Sequence, residues 1–248
     1  MFNFPPLDCH AHIAHDVTDA QVKTLEGAKI FAMTRSLNEF QAAIRNRQSG
    51  LLWAVGTHPR VMSSMEQWSE DRFSQLAKQT PLIGEVGLDR RGDLEAQTRI
   101  FRQVLTNTDA SLISVHSTGR TRQVVDAIEQ NRHPGIILHW FLGDSEDVSR
   151  ATAMGCYFSV NSAMSDAQLT ALPLDRVLPE TDFPSSRART GARMPGDIRA
   201  LEQSVARLTR RGVGDVRRIW YRNLRRLSGQ AEVLHRLPID LTEPLEMA

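Results

Sequence analysis

The chain contains 248 residues, of which 41% are hydrophobic and 24% are charged, and its formal net charge is +1. These values are typical of a folded globular protein, and the length suits one α/β domain. Only two cysteines occur, which excludes a disulfide framework and fits a reducing compartment. The first residues lack a secretory signal pattern, and no apolar run approaches the about 18 residues of a membrane span. We therefore expect a soluble, cytoplasmic protein without a membrane partner.

Eight short apolar runs alternate with amphipathic stretches along the chain. The predicted strands span residues 7–12, 29–34, 51–57, 81–87, 112–117, 135–140, 156–160 and 176–181. The predicted helices span residues 18–27, 36–48, 65–79, 94–107, 119–131, 144–154, 165–172 and 197–211. Mostly hydrophobic strands separated by helices are typical of a parallel sheet covered on both faces. The pattern predicts an α/β fold, a single-domain (β/α)8 TIM barrel, with a doubly wound open sheet as the alternative.

An extra C-terminal helix is predicted over residues 213–227, where apolar side chains recur near helical spacing. We expect this helix to dock on the barrel rather than to bind a partner through its apolar face. The barrel domain is expected to comprise residues 1–228, followed by a tail of residues 229–248 that contains two prolines. The sequence leaves open whether the tail is loose or binds a partner.

Potential metal ligands follow the predicted strands. His10 and His12 are two residues apart on the first strand, so their side chains share a face, which Asp8 also shares deeper in the strand. His58 follows the third strand, and four more candidates lie in or just after other strands: Glu85, His116, His139 and Asp182. Catalytic residues of TIM barrels gather at the carboxyl ends of the strands. A lone histidine on an apolar strand is usually structural, but this convergence predicts a metal site.

The residue types indicate the kind of site. Three or four imidazoles with two carboxylates suit Zn²⁺, Mn²⁺, Fe²⁺ or Mg²⁺. Glu85 lies roughly opposite the first strand in barrel order, where one carboxylate can bridge two cations about 3.5–4 Å apart. A carboxylated lysine is disfavoured as the bridge, because none of the three lysines (Lys23, Lys29 and Lys78) ends a predicted strand. We therefore expect two divalent cations, whose identity the sequence leaves open.

Six segments occur in a defined order: DCHAH, VGTHP, IGEVGLD, SVHS, LHWF and LPETDFP. In order and spacing they resemble the TatD-like metal-dependent deoxyribonucleases, which are amidohydrolase-type TIM barrels, and the resemblance spans residues 7 to about 228. The resemblance implies that the protein hydrolyses DNA and that it acts on single strands or on DNA ends. A narrower resemblance, in SVHS, ILHWF and GCYFSVNSAM, is to the TatD-like component of the Qat anti-phage defence system. This narrower resemblance implies a role in antiviral defence with other Qat proteins as partners.

The resemblance also implies roles for the candidate ligands. One cation would be held by His10, His12, Asp182 and the bridging Glu85, and a second by Glu85, His116 and His139. His58 would face the substrate phosphate, and Glu180 would lie in an outer shell, where we also expect Asp8. Asp182 is the best candidate to accept the proton of the attacking water, because a metal-bound carboxylate can also reach the nucleophile. The predicted catalytic residues are therefore Asp182, Glu85 and His58.

The chain departs from the family pattern near the expected substrate groove. Arg90 stands where a tyrosine often follows G-L-D, and Trp140 and Phe183 stand where cysteine and a small residue are common. These positions border the substrate rather than the ligands. These departures are therefore expected to affect which substrate is preferred rather than whether the protein hydrolyses it.

The distribution of charge points to a polyanionic substrate. Residues 187–226 contain twelve arginines and three acidic residues, a net charge of +9, so the rest of the chain is net acidic. A basic stripe beside a metal rim is expected for a nucleic-acid substrate, although a solvated helical face gives the same pattern. The loop after Asp182 carries three arginines that we expect to contact phosphates: Arg187, Arg189 and Arg193. Trp140 is a candidate for stacking on a base, although core packing would serve as well.

Two other functions stay open on the sequence. The same cations would hydrolyse an amide or a lactone, so the protein could be a small-molecule amidohydrolase or lactonase. It could also be a non-catalytic scaffold subunit of a defence complex, with the tail as the partner contact. Against the scaffold, every expected ligand position is filled.

Overall fold

The computed structural model describes residues 3–45 and 48–248, in which eight parallel strands alternate with helices. The strands are β1 (Leu7–His12), β2 (Lys29–Met33), β3 (Leu51–Ala54), β4 (Leu82–Gly87), β5 (Leu112–His116), β6 (Ile136–Leu138), β7 (Tyr157–Val160) and β8 (Val177–Pro179). The helices are α1 (Asp19–Lys23), α2 (Leu37–Ala43), α3 (Met62–Glu66), α4 (Glu70–Ala77), α5 (Leu94–Thr106), α6 (Thr121–Gln130), α7 (Ser145–Ala153), α8 (Asp166–Thr170), α9 (Arg187–Thr190), α10 (Arg199–Thr209), α11 (Val213–Gln230) and α12 (Ile239–Glu246). Two 3₁₀ turns lie at Leu174–Arg176 and Leu234–Arg236.

Backbone hydrogen bonds at two seams close the strands into a barrel. Strands β1 to β3 form one parallel sheet and β4 to β8 another. At the first seam, Val55 N donates to Leu82 O (3.1 Å) and Gly84 N donates to Val55 O (2.9 Å). At the second seam, His12 N donates to Phe183 O (2.7 Å). The TIM barrel predicted from the sequence is confirmed, and the open-sheet alternative is wrong.

Helices cover the outside of the barrel, and the longer ones present an apolar stripe to it. Helix α5, for example, buries Ile100, Phe101 and Val104. The predicted helix starts at Asp144 and Ser165 are present, since each side chain accepts a hydrogen bond from a backbone N–H of the first turn. Among the described residues, no helix combines the length and the apolar character needed to cross a membrane.

Several boundaries differ from the sequence prediction; the strand predicted over residues 51–57, for example, ends at Ala54. The helix predicted over residues 65–79 is divided into α3 and α4, because the side chain of Ser69 accepts a hydrogen bond from Arg72 N and starts a new helix. Strand β6 ends at Leu138, so His139 lies just after the strand. The helix predicted over residues 36–48 corresponds to α2, and its positions 46 and 47 lie outside the described residues.

Helix α11 crosses the amino-terminal end of the barrel, which is the end opposite the predicted ligands. Arg217 Nη1 donates to Phe4 O, just before β1 (2.9 Å). Asn223 Nδ2 donates to Val177 O, the first residue of β8 (2.9 Å). Gln230 Nε2 donates to Gly155 O, just before β7 (3.0 Å). The helix therefore passes beneath the beginnings of β1, β8 and β7 in turn.

The segment after α11 continues around the same end and packs against it. Arg236 donates to Ala110 O before β5 and to Thr80 O before β4 (both 2.8 Å). Asp240 accepts hydrogen bonds from Gly50 N before β3 (2.7 Å) and from Lys29 Nζ in β2 (3.1 Å). Three leucines of the segment are buried: Leu237, Leu241 and Leu245. The tail left open by the sequence is therefore folded onto the barrel.

This course of the chain corrects one expectation about charge. The arginines of α11 were expected to belong to a basic stripe beside the metal rim. Because α11 lies at the amino-terminal end of the strands, its arginines are remote from His12 and Asp182. Of the twelve arginines in residues 187–226, those that directly follow β8 are at the ligand end.

Candidate metal centre

The predicted ligands converge at the carboxyl ends of six strands. They come from β1 (His10 and His12), from the loop after β3 (His58), from β4 (Glu85), from the end of β5 (His116), and from the residues after β6 (His139) and β8 (Asp182). Their ligand atoms form three groups, each within 4.8 Å: His10, His12 and Asp182; His10, Glu85 and His139; His58, Glu85 and His116. The structure thus brings every predicted ligand into one site.

Glu85 lies at the centre of this site. Its Oε2 atom is 3.2 Å from His12 Nε2 and 3.5 Å from both His10 Nε2 and His58 Nε2. Its Oε1 atom is 2.6 Å from His116 Nδ1. Burial by itself would raise the pKa of Glu85, but the surrounding imidazoles hold that pKa well below its usual range. Glu85 is therefore a buried carboxylate that contacts both sides of the site.

Two histidines have one ring nitrogen engaged and the other directed into the site. His10 Nδ1 lies 2.8 Å from Ser114 Oγ, and His139 Nδ1 lies 2.7 Å from Glu180 Oε2. An Nδ1–H that donates to such a partner leaves Nε2 with the lone pair that a cation needs. Burial lowers the pKa of His10 to about 3, which keeps its ring neutral. His10 and His139 stack with ring centroids 3.7 Å apart.

Glu180 therefore lies behind a candidate ligand, as the resemblance implied for an outer-shell residue. Besides His139, it accepts hydrogen bonds from Asn161 Nδ2 (2.9 Å) and from Ser159 Oγ. Burial alone would raise the pKa of Glu180, but His139 beside it lowers that pKa. The pair also raises the pKa of His139 to about 10, against the opposing effect of burial.

His116 has a carboxylate at each ring nitrogen. Glu85 Oε1 faces Nδ1, and Asp89 Oδ2 lies 2.8 Å from Nε2. Burial opposes protonation of the ring, but Glu85 and Asp89 raise the pKa of His116 to about 9. Asp89 was not singled out from the sequence, although it belongs to the quoted IGEVGLD segment. It holds His116 with Nδ1 towards Glu85, in the way that carboxylates orient metal-ligating histidines.

His58 differs from the other histidines in which nitrogen is engaged. Its Nδ1 accepts a hydrogen bond from Arg60 N (3.0 Å), and burial lowers its pKa, so the ring is neutral with the proton on Nε2. Nε2 faces Glu85 Oε2 and lines the pocket. Although His58 lies within ligand distance, it offers an N–H rather than a lone pair. Nothing in the sequence pattern indicated this role of the Arg60 backbone.

Asp182 lies at the rim of the site, where it reaches both the ligands and the pocket. Its Oδ1 atom is 3.7 Å from His12 Nε2. Burial raises the pKa of Asp182 to about 6. Its backbone has φ of 48°, and its N–H donates to His10 O (2.9 Å), which fixes the residue against β1.

Asp8 supports the site through the backbone rather than through an imidazole. Its carboxylate accepts hydrogen bonds from His10 N (3.2 Å), Thr181 N (3.0 Å), Thr181 Oγ1 (2.6 Å) and Gly196 N (2.8 Å). Burial raises the pKa of Asp8 to about 6 against these four donors. Asp8 thus ties β1 to the segments that flank Asp182.

A pocket of about 560 Å³ opens above the ligands. Of the predicted substrate contacts, His58, Trp140 and Arg189 line it, and the guanidinium of Arg189 lies 4.5 Å from the centroid of the Trp140 ring. Arg60, which the sequence reasoning missed, also lines the pocket.

The remaining predicted arginines lie outside the pocket lining. Arg193 pairs with Asp197 (3.2 Å), and Arg187 begins α9 beside the pocket wall. Phe141 is buried and packs on Phe158, so it belongs to the core.

The donor set fits divalent cations. Two polar atoms are buried at the centre without a hydrogen-bond partner: His10 Nε2 and Glu85 Oε2. Unpaired buried polar atoms are costly, and a cation at their centre would remove that cost. Imidazole nitrogens and carboxylate oxygens are ligands for Zn²⁺ and Mn²⁺ alike.

The comparison with protein families settles which family this is. The model of the family described as TatD related DNase matches residues 7–229, nearly the whole chain. The chain belongs to this family. Members of the family are metal-dependent, in agreement with the ligand groups of this site.

Curated relatives of this TatD-family chain are nucleases by name. The 3'-5' ssDNA/RNA exonuclease TatD of Escherichia coli K12 is 28% identical over 168 residues, which cover 60% of this chain and 65% of the relative. The human deoxyribonuclease TATDN3 is 24% identical over 213 residues, which cover 72% of this chain and 78% of the relative. The match thus spans less than two-thirds of the length of the bacterial relative.

Solved structures share the fold. YJJV, a TatD homologue from Escherichia coli, superposes with a TM-score of 0.76 at 20% identity and covers 89% of this chain and 96% of its own. A TatD-family hydrolase from Entamoeba histolytica superposes with a TM-score of 0.71 at 15% identity and covers 92% and 99%. At these identities the structural similarity supports the barrel fold only. The chemistry has to be argued from the residues of the site.

Proposed function

We propose that the protein is a divalent-metal-dependent phosphodiesterase that hydrolyses DNA from the end of a single strand. The observation that carries this proposal is Glu85, a buried carboxylate surrounded by imidazoles at the base of an open pocket. Arg60 and Arg189 in the pocket wall supply positive charge for a polyanionic substrate. The names of the relatives, an exonuclease and a deoxyribonuclease, support the same reaction.

Two cations suit the ligand arrangement. His10, His12 and Asp182 would hold one, and His116 and His139 the other, with Glu85 between them. The His116 and His139 ring centroids are 6.3 Å apart, and Glu85 belongs to a ligand group with each ring. Bound there, divalent cations would lower the pKa of a water and offset the charge of the phosphate under attack.

The residues of the chain supply positioning and proton transfer. Asp182, with its pKa raised to about 6, is largely ionised at neutral pH and is a stronger base than an ordinary aspartate. It would accept the proton of the attacking water. His58 would donate its Nε2–H to a non-bridging phosphate oxygen, because Arg60 N holds the proton on that nitrogen.

The pocket wall would hold the nucleotide next to the cut. The Arg189 guanidinium would contact a phosphate while its other face rests on Trp140. Arg187 and Arg193, on the same segment after β8, would contact phosphates further from the pocket. An open pocket of this size accepts the end of a strand more readily than the middle of a duplex, because the duplex would have to be opened first.

The test is hydrolysis of labelled single-stranded and double-stranded DNA by the purified chain with Mg²⁺, Mn²⁺ or Zn²⁺. We expect stepwise shortening of the single strand by the wild-type chain. In Glu85→Ala and Asp182→Asn the rate of hydrolysis should fall by at least about 100-fold. Glu146→Ala and Asp166→Asn are matched controls, because they alter exposed carboxylates on α7 and α8. These controls should retain activity.

The alternatives predict different results in the same assay. A small-molecule amidohydrolase or lactonase would turn over a lactone or dipeptide panel and leave DNA intact at every metal. A scaffold subunit would turn over neither substrate class. Either result would overturn the nuclease proposal, provided that the protein binds metal.

We also propose that the nuclease acts in anti-phage defence, together with other Qat proteins. The support is the resemblance of SVHS, ILHWF and GCYFSVNSAM to the TatD-like Qat component. Phage plating on cells that carry the full gene set, with wild-type chain or with Glu85→Ala, tests this role. We expect protection only with the wild-type chain, and equal plaque numbers for both would contradict the proposal.

A further inference from the structure

Four arginines lie on the outer face of α11, and we call them the α11 arginine ridge: Arg218, Arg222, Arg225 and Arg226. Their positions, i, i+4, i+7 and i+8, fall on one face of a helix. The opposite face is buried against the barrel through apolar residues that include Val216, Trp220 and Leu224.

The charge of the ridge is left uncompensated. In the ranges that the structure describes, none of the four guanidinium groups pairs with an aspartate or a glutamate, whereas Arg217 on the same helix pairs with Glu202. Arg222 contacts only Ala248 O, at 3.4 Å, among the hydrogen bonds described. Like charges at i and i+4 destabilise a helix. The ridge therefore carries a small stability cost that no described aspartate or glutamate offsets through an ion pair.

The ridge lies at the opposite end of the barrel from the candidate metal centre. Asn223, within the ridge segment, binds the first residue of β8, whereas Asp182 follows the last residue of that strand. The ridge accounts for part of the net charge of +9 between residues 187 and 226, while the rest of the chain is net acidic. The molecule thus has two basic regions, one at the pocket and one at the far end.

The chemistry of the ridge favours a phosphate backbone over a protein surface. A protein–protein interface has an apolar centre with a polar rim. The described part of α11 exposes one large hydrophobic residue, Val213, which lies at its first position and outside the ridge. Binding of a nucleic-acid backbone, in contrast, requires cationic groups at intervals and no apolar centre.

We propose that the α11 arginine ridge is a second nucleic-acid-binding surface, which holds the phosphate backbone of a long single strand whose end lies in the pocket. This inference rests on the proposed nuclease function, because the strand held at the ridge is taken to be the substrate whose end is cleaved in the pocket. A strand that contacts both ends passes along the flank of the barrel. Short strands cannot reach from one end to the other, so the ridge acts on long substrates alone.

The test compares long and short strands on the full chain with its divalent metal bound. A phosphorothioate strand of about 40 nucleotides, which spans well over 100 Å at about 3.4 Å per nucleotide, reports binding without cleavage. The ridge variant replaces all four arginines by glutamine. The matched control, called the flank control, replaces four exposed or acid-paired arginines on α5, α6 and α7, helices that follow other strands than β8, by glutamine: Arg99, Arg102, Arg122 and Arg150.

We expect the ridge variant to bind the long strand at least about tenfold more weakly. The slope of log K against log salt should fall by up to about 0.7 for each phosphate that the ridge no longer neutralises. Hydrolysis of a tetranucleotide should stay within about twofold of wild type, since such a strand cannot reach the ridge. The flank control should keep both the wild-type affinity and the wild-type slope.

Three outcomes would overturn the inference. The ridge variant could bind the long strand like wild type, the flank control could weaken binding as much, or polyglutamate could compete as well as DNA of equal charge. The last outcome would assign the ridge to an acidic protein partner. If the quadruple variant does not fold, Arg225→Gln with Arg226→Gln gives the same comparison with half the expected change in slope. Failure of the chain to cleave DNA while the ridge still binds it would refute the proposed function alone.

Discussion

At the scale of single residues, the partner of each imidazole determines which ring nitrogen can bind a cation. His10 and His139 are hydrogen-bonded through Nδ1 and direct Nε2 into the site, whereas His58 accepts at Nδ1 and keeps its proton on Nε2. Asp89 acts on His116 in the same way from outside the ligand set. Binding of a cation at this site would therefore depend on residues outside the candidate ligand set.

Asp89→Asn should weaken metal binding by about 10–100-fold, because loss of a carboxylate behind a ligating histidine has effects of this size. The reason is that an amide would hold His116 without the charge that orients its Nε2–H. Titration of the metal-free chain with Zn²⁺ or Mn²⁺, followed by calorimetry, measures the change. Asp71→Asn, an exposed position on α4, is the control and should bind like wild type. Equal affinities for Asp89→Asn and wild type would refute the positioning role.

His133 should make stability depend on pH in a region remote from the metal centre. Its Nε2 donates to Thr108 O (2.9 Å) and its Nδ1 accepts from Gly135 N (3.0 Å), and burial lowers its pKa. A lowered pKa in the folded state means that the stabilising contribution is complete above the unfolded value of about 6.5 and is lost as the pH falls.

The corresponding measurement is urea unfolding of wild type and His133→Gln at pH 7 and pH 5. At pH 7 the variant should be less stable by about 1–3 kcal/mol, since it loses two buried hydrogen bonds. At pH 5 the difference should be smaller, because only the wild type is destabilised by protonation of this ring. His235→Gln, at an exposed histidine, should show no such change. A difference that does not vary with pH would contradict the assignment.

At the scale of elements, α11 fixes the beginning of β8 through one amide. Asn223 Nδ2 donates to both Leu174 O and Val177 O (2.9 Å each) from a buried position. The 3₁₀ turn before β8 therefore depends on α11, which comes later in the chain, after β8, α9 and α10. This contact connects the helix that carries the ridge to the strand that leads to Asp182.

Asn223→Ala should lower the free energy of unfolding by about 2–4 kcal/mol, because one buried and one partly buried carbonyl lose their donor. Urea unfolding measures the loss, with Gln123→Ala on the exposed face of α6 as the control. The control should change stability by less than about 0.5 kcal/mol. A similar loss in both variants would mean that the amide makes no specific contribution.

At the scale of the whole molecule, residues 213–248 run around one end of the barrel and leave the other end to the ligands. Arg236 joins this segment to four backbone carbonyls, those of Ala77, Lys78, Thr80 and Ala110. The site and the closing segment thus occupy opposite ends of the same strands. Stability and metal binding should accordingly respond to different substitutions.

Arg236→Ala should lower the unfolding free energy by about 1–3 kcal/mol, because partly buried carbonyls are left without a charged donor, and should leave Zn²⁺ affinity within about twofold. Thermal unfolding and metal titration of the same preparation measure the two effects. Arg99→Ala, at an exposed position of α5, is the control and should change neither. Loss of metal affinity in parallel with stability would show that the two ends are coupled.

The sequence alone determined the features that depend on residues close to one another along the chain. Alternating apolar strands and amphipathic helices predicted the barrel, and the placement of His10, His12 and Glu85 relative to those strands predicted that these side chains would converge. These features follow from the period of side chains along a strand and from the rule that parallel strands end at one rim.

Tertiary structure decided what depends on contacts between distant parts of the chain. It placed the arginines of α11 at the end opposite the pocket, folded the tail onto the barrel, and brought Asp89 behind His116. The sequence could not give these results, because a run of arginines has the same pattern on either end of a barrel. Only the packing of α11 against the beginnings of the strands determines which end they face.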